Sequence, residues 1–132
     1  MNEIGGKKFD DNKIRMDLIP PELFTAVGRV MTHGAQKYGD RNWEKGFRWG
    51  RPYAALQRHL NAWWGGESYD PDTGFSHLWH VACNVAFLIY FEMHRRGVDD
   101  RPQSSNTTNV SPLLETMPLP PAPSNNTGHI LD

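Results

Sequence analysis

The stretch from about Phe75 to Arg96 restricts the fold of this chain more than any other feature, because apolar residues occur nearly all round it at helical spacing. Leu78, Val81, Ala82, Val85, Leu88 and Ile89, with Glu92, form one stripe, and Trp79, Ala86, Tyr90 and Met93 form another. Such a helix needs neighbours on most sides, so it reads as the central, buried member of an all-α domain. Its first two turns break the pattern. His77, His80 and Asn84 stand at i, i+3 and i+7 and share one narrow stripe at about 100° per residue, which Leu88 continues in apolar form. A polar patch confined to one end of a buried helix describes a site closed on one side by hydrophobic packing.

The preceding elements are short. Pro20-Pro21 opens a first helix in which Leu23, Val27, Val30, Met31 and Tyr38 recur until Gly39 ends it. The segment 37–46 is glycine-rich, polar and aromatic, a loop able to present donors and a flat ring. A second helix begins near Pro52, has Tyr53, Leu56, Leu60, Trp63 and Trp64 as its apolar face, and is stopped or loosened at Gly65-Gly66, just before Glu67. The next turn is Asp70-Pro71-Asp72-Thr73-Gly74. Three helices make a thin bundle, so the core is expected to be completed by oligomerisation, as a homodimer or homotetramer.

The 132 residues fit one domain with a real core. A formal net charge of −1 supplies no overall field for nucleic acid or an anionic membrane, although a local basic cluster can still hold a small anion. No apolar run reaches the roughly 18 residues that span a bilayer, and 1–8 lacks the apolar core of a secretion signal, so a cytoplasmic location is expected. Cys83, the only cysteine, sits among Val81, Ala82 and Val85 and reads as a small buried hydrophobe rather than a nucleophile. Six of the ten prolines fall after Gly97. The expected division is therefore a folded domain over 1–97 and a Pro/Ser/Asn-rich tail over 98–132, disordered or extended, whose Val110 to Leu119 stretch has the composition to dock on a neighbouring subunit.

Around the second interhelical bend the chain gathers His59, Glu67, Asp70, Asp72, His77, His80 and Asn84. Carboxylate and imidazole are the side chains that suit divalent first-row metals, and a stable core rarely buries so many without a task. If helical geometry persists through Gly65-Gly66, His59 and Glu67 project within about 80° of each other. Asp70-x-Asp72-x-Gly74 resembles the start of a calcium loop, but the later acidic ligand is missing, and Asp72 serves equally as a turn-forming residue. Lys7, Lys8, Lys13, Arg15, Lys37, Arg41, Arg51 and Arg58 supply the opposite charge for a polyphosphate.

Four blocks in order carry a family resemblance. They are Lys8-Phe9-Asp10 with Lys13-Ile14-Arg15-Met16-Asp17-Leu18-Ile19-Pro20; Gly34-Ala35-Gln36-Lys37-Tyr38-Gly39 with Asn42-Trp43; Arg58-His59-Leu60 with Gly66-Glu67, Asp70 and Gly74; and His77-Leu78, His80 and Asn84. Over about residues 7–95 the chain resembles the phage dATP/dGTP diphosphohydrolase family, a branch associated with the MazG-like, all-α nucleotide pyrophosphohydrolases. The resemblance implies a small helical bundle of the MazG-like type and hydrolysis of a purine deoxynucleoside triphosphate, dGTP or dATP, to the monophosphate and pyrophosphate. It also implies Mg2+ or Mn2+ as cofactor and, in some phages, supply of dGMP to 2-aminoadenine nucleotide synthesis. One departure is visible: the MazG-like pattern places Glu-x-x-Asp on a helix where this chain has His77-x-x-His80, while Glu67 and Asp70 keep that spacing at a turn.

On this reading Glu67, Asp70, His77 and His80 hold the metal, with Glu67, Asp70 and His59 as the catalytic groups. Lys13, Arg15, Lys37 and Arg58 counter the triphosphate, Tyr38 or Trp43 stacks on the base, and Asn42 and Asn84 orient the nucleoside. Two other classes stand beside it: a non-catalytic nucleotide-binding regulatory module, and an HD-like zinc phosphohydrolase using His59, His77, His80 and a carboxylate. The chain contains no His-Asp dipeptide, which ranks the zinc reading lower.

Overall fold

The computed structural model describes residues 5–9 and 11–102, and within them the fold is helical, without strands. Helices α1 (Pro21–Tyr38), α2 (Gly50–Trp64) and α3 (His77–His94) are preceded and joined by two single 3-10 turns, Met16–Leu18 and Asn42–Lys45. The expected tail beyond 102, including Val110 to Leu119, and Asp10 of the first block lie outside the described residues.

Helix boundaries follow local chemistry. Pro20 stays extended, Pro21 takes the first helical position, and Gly39 closes α1 at φ 92° while its amide donates to the Ala35 carbonyl at 2.8 Å. α2 begins two residues earlier than its Pro52 signal, since proline in a first turn forfeits no intrahelical bond. The exposed amide of Gly50 there donates to Asp100 Oδ1 at 2.8 Å. α3 starts at His77, two residues after the expected Phe75, because Ser76 caps it by accepting the Leu78 amide.

α3 lies between α1 and α2 and packs on both, as a central helix should. Its core-facing stripe carries Cys83 and the fully buried Phe91. Trp43 in the second 3-10 turn meets Phe87 at 4.9 Å and Tyr90 at 4.8 Å, and Phe47 meets Phe91 at 5.8 Å, an aromatic end to the core. The expectation of burial all round α3 is corrected, however: Leu78, Val85 and Ile89 are 39–49 % exposed. Two partner helices cover two sides of a cylinder, and the stripe about 130° round the helix from the histidines is left outside.

Contacts run past the expected domain boundary at 97. Val98 pairs with the segment before α2, its amide donating to the Phe47 carbonyl at 3.1 Å and its carbonyl accepting from Trp49 at 2.9 Å. Trp49 Nε1 donates to the Arg96 carbonyl, and the Arg101 guanidinium lies over the Trp49 ring. Glycine is required twice at this crossing. Gly46 (φ +94°) and Gly97 (φ +78°) sit so close that a Cβ on Gly46 would fall 2.6 Å from the Gly97 amide nitrogen, and one on Gly97 would strike the Phe47 carbonyl oxygen.

Candidate active site

The loop between α2 and α3 turns back on itself before α3 begins. Asp70 donates its amide to Phe75 at 2.8 Å and accepts the Gly74 amide at 2.7 Å, while His77 donates its amide to the Ser68 carbonyl at 3.0 Å. The turn places Asp70 (9 % exposed) and His77 (4 % exposed) against the last turns of α2, where His59 waits.

Two chains of polar contacts result. In the first, Glu67 Oε1 lies 2.7 Å from His77 Nε2, and His77 Nδ1 lies 2.8 Å from His59 Nδ1. In the second, the Thr73 hydroxyl lies 2.9 Å from Asp70 Oδ2 and 2.8 Å from His80 Nε2, and Asp70 Oδ2 is itself 3.5 Å from His80 Nε2. The chains meet where the His59 and His80 rings stack, 4.3 Å between centroids and 8° from parallel. Glu67 stands at the rim with its side chain 54 % exposed, whereas Asp70 and His80 are 12 % exposed at theirs.

Burial is the main force on His59 and His80 and holds both imidazoles below their ordinary range; the neighbouring His80 and His77 add to it at His59, and Asp70 opposes it at both. Burial alone would raise Asp70, but the Thr73 hydroxyl, the Asp72 amide and the adjoining imidazoles outweigh it and bring the carboxyl below its usual value. The Cys83 thiol is pushed up by burial to about 11, in keeping with a small buried residue and not a nucleophile.

His80 also belongs to the wall of a cavity of about 590 Å³, together with Tyr38, Asn42, Trp43, Cys83 and Asn84. That size lies within the range of small-molecule sites. A smaller hollow of about 230 Å³ shares Phe47, Asn84 and Phe87 with it and is lined by Arg51 and Arg58. The fold thus gathers His59, Glu67, Asp70, His77 and His80 in one corner, with Tyr38, Asn42, Trp43, Asn84 and Arg58 at the adjoining walls. Trp43 also serves the core, and Asn84 Nδ2 donates to the His80 carbonyl at 2.8 Å. Lys13, Arg15 and Lys37 line neither space: Lys13 is exposed, Arg15 is paired with Asp17 at 2.7 Å, and Lys37 lies 5.3 Å from the centre of the Tyr38 ring. Asp72 is exposed and gives the corner only its amide.

Sequence reasoning passed over Thr73 and His33. The signal for Thr73 was a hydroxyl three residues after an aspartate in a proline turn, where side chains close local rings. His33 lines the larger cavity and meets Phe75 edge-on at 5.6 Å, but one histidine on a polar helix face carries no pattern. As donors the three imidazoles and two carboxylates suit a divalent cation. Among the described residues no three such side chains are already spread about one point, since they hydrogen-bond to one another.

Comparison with known proteins adds a second kind of observation. Residues 3–101 match the family model described as dATP/dGTP diphosphohydrolase, N-terminal. A dATP/dGTP diphosphohydrolase of Salmonella phage PMBT28 is 34 % identical over 105 residues, which cover 80 % of this chain and 36 % of that protein. The chain therefore spans about a third of the length of the curated relative it matches. No solved structure matches it.

Proposed function

The chain belongs to the dATP/dGTP diphosphohydrolase N-terminal family, and on that premise we propose that it hydrolyses a purine deoxynucleoside triphosphate, dATP or dGTP, to the monophosphate and pyrophosphate with Mg2+ or Mn2+. The observation that carries the reading is the convergence of His59, Glu67, Asp70, His77 and His80 beside a cavity of nucleoside size. The same proposal makes the protein a homodimer or homotetramer in the host cytoplasm, which the exposed Leu78, Val85 and Ile89 support, and in a phage a source of dGMP for 2-aminoadenine nucleotides.

Phosphoanhydride hydrolysis needs alignment, charge neutralisation and an activated water more than covalent help. Tyr38 and Trp43 offer flat faces to a purine, and Asn42 and Asn84 offer amide groups to the nucleoside. Arg58, with Arg51, takes phosphate oxygens in the adjoining hollow. His59, kept neutral by burial, accepts the proton of the attacking water. Glu67, Asp70, His77 and His80 would hold the metal, giving up the hydrogen bonds that now join them. When bound, the ion supplies charge neutralisation and a more acidic water.

The test is incubation with each deoxynucleoside triphosphate and magnesium, with products separated by chromatography. Monophosphate plus pyrophosphate is expected from a purine substrate, with complete loss in excess EDTA. Nucleotide binding that survives EDTA without turnover would replace the proposal by a regulatory module. One zinc per subunit with activity restored by zinc alone would replace it by an HD-like hydrolase.

A further inference from the structure

The contacts of the corner determine which nitrogen of each imidazole bears hydrogen. Thr73 has one hydroxyl proton and two neighbours, Asp70 Oδ2 at 2.9 Å and His80 Nε2 at 2.8 Å. An ionised carboxylate only accepts, so the hydroxyl donates to Asp70. His80 Nε2 must then donate to the Thr73 oxygen, with Asp70 Oδ2 also within 3.5 Å of it. The Phe75 amide, 3.2 Å away, fills the remaining acceptor position of that oxygen. A neutral His80 protonated at Nε2 has a bare Nδ1.

The other chain resolves in the same way. Glu67 Oε1 accepts, so His77 Nε2 donates across 2.7 Å. With its proton on Nε2, the His77 ring presents Nδ1 as the acceptor, 2.8 Å from His59 Nδ1. One proton fits between two nitrogens, and it belongs to His59, whose Nε2 is left bare. Neither His59 Nε2 nor His80 Nδ1 has a hydrogen-bond partner among the described residues. No buried polar side-chain atom there lacks a partner, so these two nitrogens reach open space.

We propose that His59 Nε2 and His80 Nδ1 are the two open lone pairs of the centre, each backed by a carboxylate through one intermediary, His77 for His59 and Thr73 for His80. His77 spends both nitrogens inside the corner, so His59 and His80 meet an incoming cation or water proton first. Thr73 is a positioning residue: it touches no substrate and holds His80 in one tautomer and one orientation, as partners of liganding histidines do. The proposal rests on reading this corner as the reaction centre, but its first test uses neither substrate nor metal.

The full chain, labelled with 15N-histidine and freed of metal, is examined at pH 8 by two-bond proton–nitrogen correlation, which distinguishes a bare ring nitrogen from a protonated one. The expected spectrum shows His80 protonated at Nε2 and bare at Nδ1, His59 protonated at Nδ1 and bare at Nε2, and His77 protonated at Nε2. Thr73→Val, which keeps the shape and removes the hydroxyl, should turn His80 into a tautomer mixture, and Thr73→Ser should restore it. With substrate and magnesium, Thr73→Val should lower kcat roughly 10–100-fold with little change in KM, and Thr73→Ser should recover most of it. A wild-type His80 protonated at Nδ1, or a His80 signal indifferent to Thr73→Val, overturns the proposal. The expected spectrum in a protein that hydrolyses no triphosphate overturns the proposed function and leaves the tautomer assignment standing.

Discussion

At its first turns α3 carries ring nitrogens that meet polar atoms at 2.7–2.8 Å, whereas near its last turn it carries Phe91, fully buried beside Trp43, Phe47 and Tyr90. One end is ordered by directional bonds, the other by the volume of rings. Directional bonds specify where protons sit and contribute little net stability each, while ring burial removes apolar area from water and sets no chemistry. The same helix thus separates directional polar bonding from ring packing along its length.

The largest effect that sharpens this contrast belongs to the aromatic end. Phe91→Ala should cost about 3–5 kcal/mol in urea unfolding, because the site is filled on every side and cannot collapse around the loss. A cost below about 1 kcal/mol would dissolve the distinction. Next comes Glu67→Ala, which removes a rim carboxylate with a half-exposed side chain. Turnover should fall at least about 100-fold, roughly 2.7 kcal/mol in activation free energy, with the unfolding midpoint nearly unchanged. Normal activity in that variant would show that the corner is merely structural.

The smallest effect is on the pH dependence of stability. His59 and His80 titrate below 6.5 in the folded protein and near 6.5 when unfolded, so between those values the unfolded chain binds more protons. Stability should decline as the pH drops beneath about 6.5, and decline further below 3.8 as Asp70 begins to protonate in the unfolded chain. Urea midpoints that stay level from pH 8 to 5 would mean that the two rings are solvated rather than buried.

Much of the fold could be read from punctuation. Pro20-Pro21, Gly39 and Gly65 act through their own backbones, so no tertiary information is needed to see where α1 and α2 stop or start. The gathering of His59, Glu67, Asp70, His77 and His80 was legible too, because a short loop joins two helices and sequence proximity there becomes spatial proximity. Leu78, Val85 and Ile89 misled, since hydrophobicity reports a preference for cover and not how many helices exist to provide it. Lys13 and Arg15 stand in a segment whose path no periodicity encodes, and neither lines the cavity. Thr73 escaped because its part depends on a ring seven residues later along the chain, brought back by the turn.

The meeting of Gly46 with Gly97 joins points half a hundred residues apart along the chain. Neighbouring helices can associate before this latch closes, because its entropic toll is levied on the whole intervening length and its reward is a few backbone bonds. Closure is accordingly expected after the α2–α3 pairing in folding, and its release before that pairing in unfolding. Amide hydrogens at Val98 and Trp49 should therefore trade with deuterium sooner than those in the middle of α3.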